Sequence, residues 1–467
     1  MPQSGIAGII TTLPPVVANA RKRLISFLTI GGPMENIQPR DLRFSRRELM
    51  RGAVAGIGAT VAAGLLTGCS PASEQRPTSQ TGGQGSTTIS PMPRRFSQEE
   101  MNRRWAAVRA AMKEQKFDGL LVTSRPDGEA DIGWLTATGA PYAVMALDGK
   151  LLTVGGSGDN LHDGVETREA PDDKFSEGIN GAIKELGLTR ARIGVGYLAD
   201  IVRLPEGGFN FTTLDRVKRS NSQARFDSAA DLLLMVKLPR SAEEISVLEK
   251  ATAVSELGLH ALMRTAKPGA IHREVWLSVY NAMVSASGEF PTRLSLRSGQ
   301  EGNTGPRPLE EVMQAGSICN QELSATVLGY GSQVNQSFLI GGPAPADWLS
   351  AAQYCIDIFN KMVDWIKPGK PIREGMDYYK AEVEKRGPGY WGVLFHSGGG
   401  NDGPRWGPGR PEAANAVLQE GMVFTIKPRI PIKDVTAPAA QFGDAVVVTA
   451  TGARRLGQRK LEILSLG

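Results

Sequence analysis

The sequence contains only four histidines, and one of them, His396, opens a glycine-rich stretch that reads HSGGGNDGPRWGPGRP. Because the unperturbed pKa of an imidazole lies near working pH, His396 is the best candidate for a general acid–base group. Glycines let backbone N–H groups approach a ligand closely, and Asp402 and Arg405 in this stretch could then set specificity. The alternatives are a hydrogen-bonded histidine without a proton-transfer role and a loop that only turns between strands.

A carboxylate and a lysine stand in two short apolar stretches, one before this loop and one after it. Glu322 begins ELSATVLGY, and Lys427 follows GMVFTI. Glu322 could orient His396 or act as a base, and Lys427 or Arg307 could bind an anionic substrate or stabilise an oxyanion. Glu322 and Lys427 could equally form a purely structural ion pair.

The elements that carry these residues belong to a pattern that occurs twice. Apolar residues recur at helical spacing in SAEEISVLEKATAVSELGLHALM, a helix that Lys267-Pro268-Gly269 stops. The stretch AAQYCIDIFNKMVDWI has the same periodicity and ends at Lys367-Pro368-Gly369, 100 residues further on. Short apolar strands follow each unit, so the sequence predicts an internal α-α-β-β repeat.

An α/β domain is predicted ahead of this region, over residues 94–236, because strands and helical stretches alternate there. SQEE at Ser97–Glu100 predicts a capping box at the start of a helix. The stretches YAVMAL and KLLTVGG flank Asp148-Gly149, which predicts a hairpin. The second domain is expected to cover residues 237–467.

The net charge of +5 comes entirely from the N-terminal segment. Residues 1–69 hold eight Lys/Arg and three acidic residues, and the remaining 45 basic and 45 acidic residues cancel. A nucleic-acid partner is therefore not expected, because such proteins carry a basic surface. Three cysteines, Cys69, Cys319 and Cys355, are too few for a disulfide framework.

Residues 1–69 have the pattern of an export signal. Arg46 and Arg47 stand directly before GAVAGIGATVAAGLL, an apolar run too short to span a membrane comfortably. This is typical of a twin-arginine signal, and LTGC at Cys69 resembles the lipidation box of a bacterial lipoprotein. We therefore expect a disordered tether over residues 70–93 and an exported protein, periplasmic or at the cell surface, with a lipid anchor at Cys69. The alternative is a signal anchor with an incidental cysteine.

Four stretches between residues 95 and 465 resemble the creatinase/aminopeptidase P family, which has the pita-bread fold. They occur in the family's order and read VKLPRSAEEISVLEKA, GYGSQVNQSFLIG, GMVFTIKP and QFGDAVVVTATGARRLG. The resemblance implies a creatinase-like α/β N-terminal domain followed by an α+β pita-bread domain. By family precedent, it also implies a homodimer.

Active metallopeptidases of this family hold two divalent ions with two aspartates, one histidine and two glutamates. The resemblance places these five ligand positions on Glu322, Gln333, His396, Lys427 and Gly443. In a second register the histidine position falls on Gly389, and His396 is then a non-ligand histidine. Asp444 corresponds to the family's neighbouring aspartate, and another catalytic histidine falls near Arg307.

Most of the implied metal ligands are therefore missing, and no metal or other cofactor is expected. A lysine ammonium repels a cation, and Lys427 can itself neutralise Glu322. Creatinase is a family precedent for C–N bond hydrolysis without a metal. Arg307, Gln333, Asp402, Arg405 and Asp444 are the expected substrate-binding residues of such a site, beside His396, Glu322 and Lys427 as catalytic candidates.

Three functions remain open on the sequence. The first is a metal-independent hydrolase of a small amide, guanidino or peptide substrate. The second is a non-catalytic protein that binds a peptide or small ligand. The third is a metal-dependent Xaa-Pro aminopeptidase whose ligands lie in another register.

Overall fold

A computed structural model describes residues 95–123, 131–156, 158, 161–198, 208–298, 310–386, 395–397, 405–406, 416–432 and 439–467. The predicted export signal, Cys69 and the predicted tether lie outside these ranges. Within them, no helix is both long and apolar enough to cross a membrane. All the described residues belong to one compact unit.

The first part of the chain forms a six-stranded mixed sheet. Its strands are β1 (Gly119–Thr123), β2 (Tyr142–Ala146), β3 (Leu151–Val154), β4 (Val165–Arg168), β5 (Arg192–Val195) and β6 (Arg225–Ser228). Its helices are α1 (Gln98–Glu114), α2 (Asp131–Thr136), α3 (Phe175–Glu185), α4 (Phe211–Ser220) and α5 (Ala230–Val236), with a 3₁₀ turn at Pro171–Asp173. The strand order is β4-β3-β2-β1-β5-β6. The predicted hairpin is confirmed, because β2 and β3 pair antiparallel.

The start of α1 differs from its prediction. Ser97 caps the helix by accepting a hydrogen bond from the Glu100 backbone N–H at 3.1 Å. The Glu100 carboxylate does not close the box, because it accepts hydrogen bonds from Arg103 and Arg104 instead. The Ser97 N–H donates to Glu243 of the second domain at 2.8 Å. A cross-domain contact therefore replaces the local one.

The second part of the chain forms an eleven-stranded sheet. Its helices are α6 (Ala242–Thr265), α7 (His272–Ser287), α8 (Ala346–Trp365) and α9 (Ile372–Glu384). Its strands are β7 (Arg293–Ser298), β8 (Ser317–Val327), β9 (Tyr330–Gln336), β10 (Phe338–Ile340), β11 (Phe395–Ser397), β12 (Arg405–Trp406), β13 (Val423–Ile426), β14 (Arg429–Pro431), β15 (Ala439–Val448), β16 (Ala453–Arg455) and β17 (Leu464–Leu466). The main path runs β12-β11-β13-β15-β9-β8-β10-β17, with β7 on β8 and with β14 and β16 on β15.

The predicted repeat is visible in matching hydrogen bonds. Gly269 follows α6 with φ +86°, and Gly369 follows α8 with φ +83°. The Gly269 N–H donates to the Met313 carbonyl at 2.9 Å, and the Gly369 N–H donates to the Leu418 carbonyl at 2.8 Å. Each KPG turn thus has a left-handed glycine, and it joins a helix pair to the segment that precedes its own strands.

Helix α6 covers one face of β8 and β9. The Thr252 and Ser332 hydroxyls lie 2.6 Å apart, and the Ser255 hydroxyl donates to the Ser332 carbonyl at 2.8 Å. Because successive strand residues point to opposite faces, Gln333 lies on the face turned away from α6. That face carries the candidate site.

Candidate functional site

Strand register brings the candidate residues of β8 and β9 onto one face. Glu322 lies opposite Ser295 of β7, and Ser324, two residues further along β8, lies opposite Gln333 of β9. Opposite residues of an antiparallel pair share a face. We call this surface, which includes Glu322, Gln333 and Lys427, the site face.

Lys427 joins two of the predicted site residues directly. Its Nζ donates to Glu322 Oε1 at 2.9 Å and to Gln333 Oε1 at 3.1 Å. Lys427 directly follows β13, and Glu322 is 105 residues away in the sequence. Three positions that the resemblance assigned to one metal centre therefore do converge, with an ammonium among them.

A fourth residue, Arg293, completes this ion cluster. Its Nε donates to Glu322 Oε2 at 3.0 Å, so each oxygen of the carboxylate faces one cation. Burial alone would raise the pKa of Glu322, but the charges and hydrogen bonds of Lys427 and Arg293 lower it to about 2. Glu322 is thus ionised at neutral pH and is a weak base.

Gly443 of β15 leaves room for the backbone at Ile426 and Lys427 to pack against this strand. A Cβ atom at position 443 would lie 2.6 Å from the Ile426 carbonyl oxygen and 2.8 Å from the Lys427 Cα. Both neighbours are backbone atoms, which cannot move aside cheaply. The glycine at the last implied ligand position is therefore required by the packing around Lys427, and a glutamate would not fit there without a backbone shift.

Asp444 lies in a different environment from the other predicted binding residues. By strand alternation it points away from the face of Gly443, and its carboxylate accepts hydrogen bonds from Arg455 at 2.9 Å and Arg459 at 2.8 Å. Arg459 also donates to Glu256 of α6. The structure therefore brings Glu322, Gln333 and Lys427 together but holds Asp444 in a buried ion cluster with α6, which does not support the expected substrate contact.

The loop residues can be placed only in part. His396 lies on β11, where its backbone is opposite Thr425 of β13 and Arg405 of β12. The backbone register thus sets His396 on the strand next to the one that leads into Lys427. Arg307, Gly389 and Asp402 lie outside the described residues.

The other sequence features are placed as follows. Cys319 and Cys355 are buried free thiols, whose pKa burial raises to about 12 in each case, so neither is a nucleophile at neutral pH. Arg293 was missed by the sequence reasoning. Its signal is the polar-apolar alternation of RLSLRS, which predicts a strand with Arg293 and Ser295 on one face, but no sequence feature pairs that strand with Glu322.

The described residues do not fit the metal ions that the resemblance implies. Such ions need several anionic oxygens or imidazoles around one point. Besides His396, the matched positions supply one carboxylate, an amide, an ammonium and a glycine. Within the ranges that the structure covers, no three His, Cys, Asp or Glu side chains are grouped closely enough to hold a metal ion.

Comparisons with known proteins agree with this fold. Residues 246–450 match the model of metallopeptidase family M24. The Xaa-Pro dipeptidase of Pyrococcus furiosus is 24% identical over 264 residues, which cover 56% of this chain and 74% of that protein.

Solved structures show the same architecture. The Xaa-Pro dipeptidase from Bacillus anthracis superposes with a TM-score of 0.65 and 18% identity, covering 78% of this chain and all of that one. Dipeptidase PepE from Mycobacterium ulcerans gives a TM-score of 0.64 and 20% identity, covering 80% of this chain and 99% of that one. The predicted pita-bread fold and the likeness to Xaa-Pro peptidases are confirmed.

Proposed function

We propose that this chain is a metal-free, Xaa-Pro peptidase-like protein that binds a short peptide or another small amide or guanidino compound at the site face. The observation that carries the proposal is the Lys427 ammonium, bonded to both Glu322 and Gln333 where the M24 resemblance expects metal ligands. An ammonium there neutralises the carboxylate and repels a divalent cation.

Binding is favoured over hydrolysis by a carboxylate base. Both Glu322 oxygens accept hydrogen bonds from cations, and the pKa of this side chain is about 2. A group so acidic removes a proton from water or an amide poorly at neutral pH. Glu322 therefore serves better as an anchor that orients Lys427 and Arg293 toward a ligand.

Hydrolysis through His396 is the second candidate, and one observation favours it. The backbone of His396 is in register with Thr425, two residues before Lys427 in the sequence. An imidazole on this strand could supply the acid–base group that Glu322 does not. In that case the protein would cleave a C–N bond without a metal.

The proposal is tested with the purified full chain in three measurements. Elemental analysis is expected to find no stoichiometric Mn, Co or Zn; two equivalents of any of them would overturn the metal-free site. Calorimetric titration with Xaa-Pro dipeptides, guanidino compounds and N-acyl amines is expected to show saturable binding to at least one class. A chain that binds none of them contradicts the proposal.

Turnover separates the two candidates. The rate of product formation from the compounds that bind is measured for the wild type, His396→Ala and His260→Ala. His260 is a histidine of α6 and serves as the matched control. Equal background rates in all three support binding alone. A rate lost only in His396→Ala supports the hydrolase.

We also propose that the protein is exported by the twin-arginine route and anchored through Cys69. The support is the Arg46–Arg47 pair before the apolar run that leads to Cys69. Replacing both arginines by lysine is expected to leave the full-length chain in the cytoplasm, measured by cell fractionation. Cys69→Ala should keep export but prevent membrane attachment. Unchanged fractionation of both variants contradicts the proposal.

A further inference from the structure

One nitrogen of the Arg293 guanidinium, Nε, is hydrogen-bonded within the described part of the chain, and the two Nη groups are not. Its Nε donates to Glu322 Oε2 at 3.0 Å, and the side chain is 37% exposed. Among the described residues, its two terminal Nη groups make no hydrogen bond. A guanidinium is planar, so fixing Nε fixes the direction of the Nη–H groups, which match the two oxygens of a carboxylate.

Positive side chains lie close together on the described part of the site face. Lys427 and Arg293 both bond to Glu322. Arg297, four residues along the same strand, lies opposite Asn320 and has the same facing as Arg293 by strand alternation. An anion that approached Arg293 would therefore be attracted rather than repelled.

Three polar atoms on the same face are buried and lack a hydrogen bond to any residue that the structure describes. Ser295 Oγ, Ser324 Oγ and Asn335 Oδ1 make no hydrogen bond within the described part of the chain. Ser295 is opposite Glu322, Ser324 is opposite Gln333, and Asn335 is two residues beyond Gln333. A buried polar group without a partner is destabilising, so three on one face are unusual unless a ligand bonds to them.

We propose that Arg293 is the specificity-determining residue of a carboxylate subsite, so that the ligand is a small organic acid with an adjacent amide. This inference rests on the proposed function and names the chemistry of its ligand. The carboxylate bonds to the Nη groups of Arg293, and Glu322 positions the guanidinium. The amide N–H is matched by Asn335 Oδ1, and the two serine hydroxyls can donate to or accept from the remaining polar atoms.

The test compares N-acetyl-L-alanine with its neutral amide, N-acetyl-L-alaninamide, by calorimetric titration of the full chain. The acid is expected to bind at least about tenfold more tightly, because hydrogen bonds to a charged group are stronger than those to a neutral amide. Arg293→Gln should abolish this preference, and Arg293→Lys, which keeps the charge beside Glu322 without the paired N–H groups, should retain part of it.

Arg219→Gln is the matched control, because Arg219 also donates through Nε to a carboxylate, that of Asp215, in the first domain. It should bind both compounds as the wild type does. Equal binding of acid and amide, or a preference that survives in folded Arg293→Gln, overturns the carboxylate subsite while leaving the proposed function intact. Failure of the wild type to bind any compound of either panel overturns both. If Arg293→Gln does not fold, Arg293→Lys is used instead. The inference is overturned if this variant prefers the acid over the amide as strongly as the wild type does.

Discussion

Replacing Lys427 with methionine is expected to lower the free energy of unfolding by about 2–3 kcal/mol. Methionine keeps much of the side-chain length but leaves the Glu322 carboxylate with Arg293 alone and removes the donor to Gln333. Loss of one partner from a fully buried ion pair costs about 3–5 kcal/mol. Lys427 and Glu322 are 17% and 14% exposed, so water recovers part of that cost. Urea denaturation of the full chain measures the change.

Two further variants identify the cause. Adding Glu322→Gln to Lys427→Met removes the uncompensated charge and should restore at least half of the lost stability. Lys361→Met is the matched control, since Lys361 pairs with Glu382 at 2.6 Å but is 47% exposed. It should cost less than about 1 kcal/mol. If Lys427→Met costs no more than this control, the ammonium is not the counter-ion that stabilises Glu322.

The repeat could be predicted from sequence because its signals are local. A helical periodicity followed by KPG needs only nearby residues to be recognised, and the turn glycines have the positive φ that such a position favours. The same holds for the hairpin of β2 and β3, which an Asp-Gly turn predicts. These elements are determined within short windows of the chain.

The site was less predictable because strand register determines it. Arg293 reaches Glu322 only through the pairing of β7 with β8. Asp444 directly follows Gly443, yet one step along a strand reverses the facing of a side chain, and Asp444 bonds to Arg455 and Arg459 instead. Similarity to a motif places a residue along the chain, whereas its contacts depend on pairings that no short window contains.

The contacts of Glu244, at the junction of the two domains, also depend mostly on residues that are distant in sequence. It is the N3 residue of a capping box with Ser241 at the start of α6, which SAEE in the sequence predicts as readily as SQEE at α1. Its carboxylate also accepts a hydrogen bond from Arg240, four residues away, at 3.4 Å. Three further donors are distant in sequence: Arg103 at 2.8 Å, Trp134 at 2.9 Å and Tyr330 at 2.6 Å.

Glu244→Gln is expected to cost about 3–5 kcal/mol of unfolding free energy, the largest effect at any single position considered. The amide has the same shape but no charge, so the buried guanidinium of Arg240 loses the negative charge of Glu244. Arg104, which keeps Glu100, loses its second negative neighbour. Glu249→Gln is the control: it lies on the same helix, and its ion pair with Arg454 is 40–48% exposed. That variant should cost less than about 1 kcal/mol.

Acid denaturation separates the loss of charge from any loss of packing. Burial alone would raise the pKa of Glu244, but Arg240, Arg104 and the Tyr330 hydroxyl lower it to about 2 from 4.5. Because its pKa is lower in the folded state, the ionised Glu244 carboxylate stabilises the fold fully above pH 4.5. This contribution is lost as the pH falls from 4.5 through about 2. Between those values the stability of Glu244→Gln should therefore fall less steeply than that of the wild type. Glu322, with its own pKa of about 2, keeps part of the slope in both proteins. Parallel curves would show that Glu244 contributes packing rather than charge at the domain junction.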